Sequence, residues 1–355
     1  MSLFHKLTVT YIRKTTRDAV VLTLEADEPE VFSFVQGQYL TFRAQFDGEE
    51  LRRSYSICSN SADGNLQVAI KQVDGGAFST WANNELKVGD RVEAMPPMGK
   101  FFAENDAVAP HIVLFAAGSG ITPILSILHS GLLADSDTSF TLVYGNRNSS
   151  SIMFREELED LKNRFLGRLS VLHILTDDSQ DIDLFSGRID EAKCEALFAK
   201  WIDPGSISMA FICGPEPMMV SVSNALQQHG LTKEQIRYEL FTSAQPGRAK
   251  TRAKSASELK GDVSGRVVLN GETRDLVVDR DTSLLETALQ NSVDAPFACK
   301  AGVCSTCKAK VLEGDVEMLT NHALEDYEVD AGFVLTCQCY ALSERVIWDY
   351  DQAGH

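Results

Sequence analysis

The sequence predicts a multidomain chain of α+β and α/β class, with an antiparallel β-barrel first, a parallel-sheet α/β domain next and a small mixed domain last. Three observations predict it. Up to about residue 105, short β-rich runs are separated by Gly and Asp-Gly turns. From about 108 to 241, apolar strand runs alternate with helical runs, the pattern of a parallel sheet wrapped by helices. Beyond that, the cysteines crowd between Cys299 and Cys339, which points to a metal centre rather than to disulfides.

A chain of 355 residues suits two or three domains. No run approaches the roughly 18–20 apolar residues of a membrane span. The best candidate, His111 to Leu128, is broken by Gly118, Ser119, Gly120, Thr122 and Pro123, so no membrane association is expected. The opening Met1-Ser2-Leu3-Phe4-His5-Lys6 does not read as a secretory signal, which makes the cytoplasm the expected compartment. A net charge of −17 argues against nucleic acid as a partner, because phosphate contacts need a basic surface. The acidity suits a basic protein partner, and it serves solubility equally well.

The barrel is expected over residues 1–106. Its strands are Leu7-Thr8-Val9, Ala19 to Leu24, Tyr39 to Phe42 and Leu66 to Ile70. In the second domain, 107–242, His111 to Phe115 leads through a glycine turn to a helix from Pro123, and Phe140 to Tyr144 leads to a helix near Phe154 to Phe165. Ser170 to Leu175 and Met209 to Ile212 continue the alternation. Residues 243–262, with Pro246, Gly247 and a basic run through Arg252 and Lys254, read as a linker. The last domain, 263–355, opens on a hairpin around Asn270-Gly271 and a helix capped by Ser283 with Glu286 three residues on.

Cys299, Cys304 and Cys307 form C-x4-C-x2-C, and Cys337 stands after a long interval, the plant-type spacing of a [2Fe–2S] cluster. Structural zinc is the competing reading. Zinc ribbons carry two C-x2-C knuckles, whereas this segment has one. Cys339 competes with Cys337 as fourth ligand: if Val334 to Cys337 is a strand, both thiols face the same side, and geometry leaves the choice open. Cys58 and Cys194 read as ordinary buried thiols.

Gly118-Ser119-Gly120-Ile121-Thr122-Pro123 lies between a strand and a helix, where glycines let a dinucleotide approach a helix N-terminus. Pro123 stands where the full G-x-G-x-x-G pattern has its third glycine, and a lone G-x-G is often only a tight turn. Tyr144-Gly145-Asn146-Arg147 ends the next strand, where ribose recognition belongs. An acidic residue there favours NADH; Arg147, with Ser149, Ser150 and Arg155 close behind, favours the 2′-phosphate of NADPH. The alternative for Arg155 is an ion pair on its own helix.

Ala298 to Cys307 and Leu335-Thr336-Cys337-Gln338 resemble plant-type ferredoxins, which implies a β-grasp fold and supports Cys337 as the ligand. Arg53-Ser54-Tyr55-Ser56 followed by Gly76-Ala77-Phe78-Ser79 resembles the paired flavin signatures of the ferredoxin–NADP reductase superfamily. By that resemblance Arg53 meets the FAD pyrophosphate, Tyr55 lies against the flavin, and Ser56 hydrogen-bonds near its N5. Gly76, Ala77, Phe78 and Ser79 take the second phosphate, and Ile70 and Lys71 join the flavin contacts. Gly118, Gly120, Thr122 and Pro123, with Cys213-Gly214-Pro215, match the superfamily's pyridine-nucleotide segments. Cys213 and Thr122 are then expected to flank the nicotinamide, and Glu239 and Phe241 to close the flavin pocket, with Ser56, Cys213 and Glu239 as the catalytic group.

Barrel, nucleotide domain and ferredoxin in this order resemble the reductase components of bacterial multicomponent oxygenases. The residues from Gly48 to Cys58, Ala116 to Pro123, Tyr144 to Arg147 and Phe211 to Pro215 are most similar to reductases serving the ring-activating di-iron oxygenases of aerobic phenylacetate degradation. The resemblance implies an NADPH-dependent oxidoreductase that passes electrons through FAD and a [2Fe–2S] cluster to a di-iron oxygenase. A reductase of a Rieske dioxygenase or steroid hydroxylase, and a redox-sensing binding protein, are the alternatives. Glu325, Asp326, Glu328 and Asp330 are the expected acidic docking face.

Overall fold

The computed structural model describes residues 3–102, 110–178, 181–241 and 263–353. The expected linker, 243–262, lies outside the described residues. The chain divides into two compact units, one built of the first two sheets and the other of the C-terminal domain with Arg52–Ser54.

In the first unit, β1 (His5–Thr16), β2 (Ala19–Ala26), β3 (Tyr39–Phe46), β4 (Glu49–Ser56), β5 (Leu66–Lys71) and β6 (Arg91–Ala94) form one sheet in the order β4-β3-β6-β1-β2-β5. Alternation puts Leu7, Val9, Leu22, Leu40, Phe42, Val68 and Ile70 inside. The helix α1 (Ala77–Asn84) covers this core with Phe78 and Ala82.

The parallel sheet holds β7 (His111–Ala117), β8 (Ser139–Asn146), β9 (Leu169–Leu175), β10 (Met209–Gly214) and β11 (Ile236–Leu240), in the order β11-β10-β7-β8-β9. Around it pack α2 (Ile121–Ala134), α3 (Arg155–Arg164), α4 (Glu191–Phe198) and α5 (Glu216–Gln228). The order reverses beside β7: β8 lies on one side and β10 on the other. That switch point is where open α/β sheets bind ligands. Ser126 on α2 donates to the Ser59 carbonyl at 2.7 Å, tying this sheet to the barrel within the unit. Among the described residues no helix is long and apolar enough to cross a membrane.

The C-terminal unit holds β12 (Val263–Leu269), β13 (Glu272–Val278), α6 (Leu284–Gln290), β14 (Lys308–Glu313), β15 (Val316–Met318), α7 (Asp326–Asp330), β16 (Phe333–Leu335), β17 (Cys339–Ala341) and β18 (Arg345–Asp349). Its main sheet runs β13-β12-β18-β14-β16, with β12 parallel to β18 and α6 packed on it. Asn270 and Gly271 both adopt positive φ, as the two-residue hairpin demands. Ser283 caps α6 by accepting from the Glu286 N–H.

Two expectations are corrected here. Cys337 is not on a strand: β16 ends at Leu335, and Thr336–Gln338 form a 3-10 turn before β17 begins at Cys339. Two-residue alternation therefore does not relate the two thiols. Glu328 is not on an exposed face. Its side chain is buried against the Lys308 ammonium at 3.4 Å, while Glu325, Asp326 and Asp330 stay exposed.

Candidate functional site

Strand β4 carries Arg53, Tyr55 and Ser56. The Arg53 guanidinium donates to the Arg52 carbonyl at 2.8 Å, and the half-buried Tyr55 ring packs on Phe42 and Phe78, with ring centroids 6.1 and 5.6 Å away. Beyond β5 the chain turns at Gly76, which opens α1. A Cβ there would sit 2.7 Å from the Ser79 hydroxyl and 3.1 Å from the Val73 carbonyl oxygen, so a side chain would displace the serine that holds the turn. Ser79 braces it by donating to the Gly76 carbonyl and accepting from the Val73 N–H. Beside this turn lies a cavity of about 960 Å³, lined by Arg43, Phe46, Gly76, Ala77 and Trp81 among others. Aromatic walls beside a bare backbone turn fit the aromatic part of a dinucleotide, while Arg43 is already held by Glu93 at 2.9 Å and Asp47 and Glu85 share the lining.

Lys71 pairs with Asp18 at 3.8 Å and keeps some exposure. Ile70 is different: its side chain is wholly inside the barrel and its carbonyl accepts from the Asn83 amide. Phe78 is likewise a core residue.

Ser56 reaches the other sheet, where its hydroxyl donates to Glu239 Oε2 at 3.3 Å. Glu239 stands beside Cys213 in the β10–β11 register. It keeps part of its surface open, yet the protein around it desolvates the carboxyl and pushes it up to about 8, against the pull of the Ser56 hydrogen bond. Burial, with Glu239 as the nearby charge, holds the Cys213 thiol well above its ordinary value, so it is no thiolate nucleophile. Phe241 follows β11 and donates its N–H to the Gly214 carbonyl. The structure thus brings Ser56, Cys213 and Glu239 to one place from three strands.

The glycine turn lies at the switch point. Gly118 has φ +53 and open space where a Cβ would be. Gly120 is the opposite case, since a Cβ would sit 2.2 Å from the Cys213 carbonyl oxygen. Only glycine lets the turn lie this close to β10. The buried Thr122 donates to the Ser119 carbonyl at 3.0 Å. Pro123 occupies the first turn of α2, where its missing N–H costs no intrahelical bond.

At the end of β8, Asn146 is 8 % exposed and neither amide atom has a partner of good geometry, although the group lies close to the Tyr144 oxygen. A buried amide left so at the sheet's carboxyl edge fits a ligand that completes it. Arg147 is exposed. Arg155 is paired with Glu159 on its own helix at 3.1 Å, and Ser149 gives both its N–H and its hydroxyl to Asp178, at 2.8 and 2.9 Å. Asp178 is a neighbour that sequence reasoning missed, because it lies 29 residues away with no motif around it.

In the C-terminal unit the cysteine loop folds tightly. Lys300 and Gly302 both take positive φ, and a Cβ on Gly302 would meet the Thr320 carbonyl at 2.7 Å. The Cys304 thiol donates to Cys299 Sγ at 3.2 Å, and the Ala301 N–H to the same sulfur at 3.3 Å. Hydrogen bonds from Cys304 and Cys337 draw the Cys299 thiol down, while their contacts with Cys299 push Cys304 and Cys337 up. Cys337 is also within hydrogen-bonding reach of Cys307, so the four sulfurs lie near one another. Among the described residues no three His, Cys, Asp or Glu side chains are grouped to hold a single metal ion. Cys339 is packed in the domain core, and burial raises its thiol. Cys58 and Cys194 are buried thiols pushed up to about 12.

Three family models match: an oxidoreductase FAD-binding domain over 6–102, an oxidoreductase NAD-binding domain over 114–224, and a 2Fe-2S iron-sulfur cluster binding domain over 267–342. The chain is 42 % identical to a component of the 1,2-phenylacetyl-CoA epoxidase of Escherichia coli, over 100 % of this chain and 99 % of that one. It is 31 % identical to the ferredoxin reductase component of 3-ketosteroid-9-alpha-monooxygenase of Mycobacterium tuberculosis, over 92 % of this chain and 89 % of that one. Phthalate dioxygenase reductase shares the fold, with TM-score 0.60 at 23 % identity over 98 % of both chains.

Proposed function

The chain belongs to the family of oxygenase reductases that carry FAD-binding, NAD-binding and [2Fe–2S] domains, and on that premise we propose that it feeds the di-iron oxygenase of phenylacetyl-CoA epoxidation. The full-length identity to a component of that epoxidase, 42 % against 31 % for the steroid relative, carries the choice of partner.

Bound FAD would take hydride from the nicotinamide and release electrons singly to the cluster, chemistry that belongs to the cofactors. The chain's own residues bind and orient. Arg53 and the Gly76–Ser79 turn hold the FAD phosphates, and Tyr55 lies along the flavin. Gly118–Pro123 receives the dinucleotide, and Gly120 lets it come close to Cys213. Ser56 and a protonated Glu239 place hydrogen-bonding groups where donor and acceptor rings must meet, with Phe241 closing the pocket. Cys299, Cys304, Cys307 and Cys337 ligate the cluster. Arg147 reads the 2′-phosphate, which makes NADPH the preferred donor. With Arg155 engaged by Glu159, Arg147 carries most of that preference.

Reconstitution tests the partner. With NADPH, the chain is expected to support turnover of phenylacetyl-CoA by the purified epoxidase oxygenase and to fail with a Rieske steroid oxygenase; the reverse pattern contradicts the assignment. Arg147→Ala should lower kcat/KM for NADPH by roughly tenfold more than for NADH, the scale of one charge-assisted contact. Equal losses would make the arginine structural.

A further inference from the structure

We propose that Tyr144 is a positioning residue for the dinucleotide: its hydroxyl orients the Gly118–Ser119 peptide and thereby presents the Ser119 N–H to the ligand's pyrophosphate. The inference rests on the reading that the Gly118–Pro123 turn receives NAD(P)H.

Tyr144 is fully buried on β8, and its hydroxyl donates to the Gly118 carbonyl at 2.9 Å. Gly118 sits at φ +53, in the left-handed region that glycine adopts without strain, with open space where a Cβ would be. A planar trans peptide points its C=O and N–H in opposite directions. With the Gly118 oxygen drawn inward to the tyrosine, the Ser119 N–H faces away from the sheet. Rotating that peptide would break the tyrosine bond and the Ile121 N–H bond to the same oxygen, and would turn the Ser119 N–H with it. An anionic pyrophosphate needs such backbone donors.

A second observation marks the same place. Asn146 lies two residues along β8 from Tyr144, so both side chains stand on one face. It is more than nine-tenths buried, and its amide, though close to the Tyr144 oxygen, has no hydrogen-bond partner of good geometry. The face of β8 that braces the turn therefore also holds a polar group awaiting a ligand.

Tyr144→Phe isolates the hydroxyl. The ring keeps its packing, and the Gly118 oxygen still accepts from the Ile121 N–H, so no buried acceptor is orphaned. With the FAD-loaded protein, titrations of NADP+ and of NAD+ followed by flavin difference absorbance should show dissociation constants raised by the same factor, about 2- to 12-fold, the span of one hydrogen bond. KM for NADPH and NADH should rise in step while kcat at saturation stays within about twofold. Unchanged dissociation constants, a fall in kcat without a rise in KM, or unequal factors for the two nucleotides would each overturn the inference. If the unmutated protein perturbs its flavin with neither nucleotide, the reading of the turn itself fails and the inference falls with it.

Discussion

Cys337 and Cys339 differ by environment more than by position. Both thiols are buried in the domain core, but Cys337 sits on a turn within reach of Cys299 and Cys307, whereas Cys339 lies on β17. Cys337→Ser is expected to abolish the visible cluster spectrum, and Cys339→Ser to leave it nearly intact; the opposite pattern would reassign the fourth ligand. Glu239 titrates by a different cause. Its ordinary value of 4.5 is raised by burial to about 8. Between those values the unfolded chain has released a proton that the folded chain still holds, so stability falls as pH rises through that window and levels off above it. Melting curves from about pH 5 to pH 8 should therefore lose part of their decline in Glu239→Gln, and an unchanged slope would show that the carboxyl is not held neutral.

At the scale of elements, the strands, the glycine turn and the cysteine loop were legible because each has a local signature: alternation, G-x-G between strand and helix, C-x4-C-x2-C. Ser283 capping α6 and Asn270-Gly271 turning β12 into β13 belong to the same class. What sequence could not supply is long-range and side-chain-specific. The Tyr144 hydroxyl meets a carbonyl 26 residues away, and Asp178 reaches Ser149 across two strand ends. Glu328 read as one more charge in an acidic run, but α7 turns it inward onto Lys308, next to the proposed ligand Cys307. Leaving either charge alone in that site is costly: Glu328→Gln is expected to destabilise the C-terminal domain by about 3–5 kcal/mol. Replacing Lys308 by Met and Glu328 by Leu together should recover most of the loss. Equal destabilisation by the single and double variants would mean that the pair does not act as a pair.

Across the whole molecule, charge is proposed to govern the encounter with the oxygenase. The chain carries −17, and Glu325, Asp326 and Asp330 keep an exposed acidic edge on the cluster-bearing domain. Screening shortens from about 10 Å at 0.1 M salt to about 3 Å at 1 M. Coupled turnover should slow as salt rises while reduction of the bound flavin by NADPH holds its rate; parallel losses would remove the case for acidic docking.

The electron path itself is tested most directly by an anaerobic NADPH titration of the holoprotein, followed by visible absorption and by electron paramagnetic resonance. The flavin band should bleach and the paramagnetic signal of a one-electron-reduced cluster should rise. That rise is partial, because plant-type clusters sit near −400 mV. Cys337→Ser should keep the flavin bleaching and lose the signal. A flavin that bleaches fully while an intact cluster stays oxidised, even with the partner absent and NADPH in excess, would contradict the account.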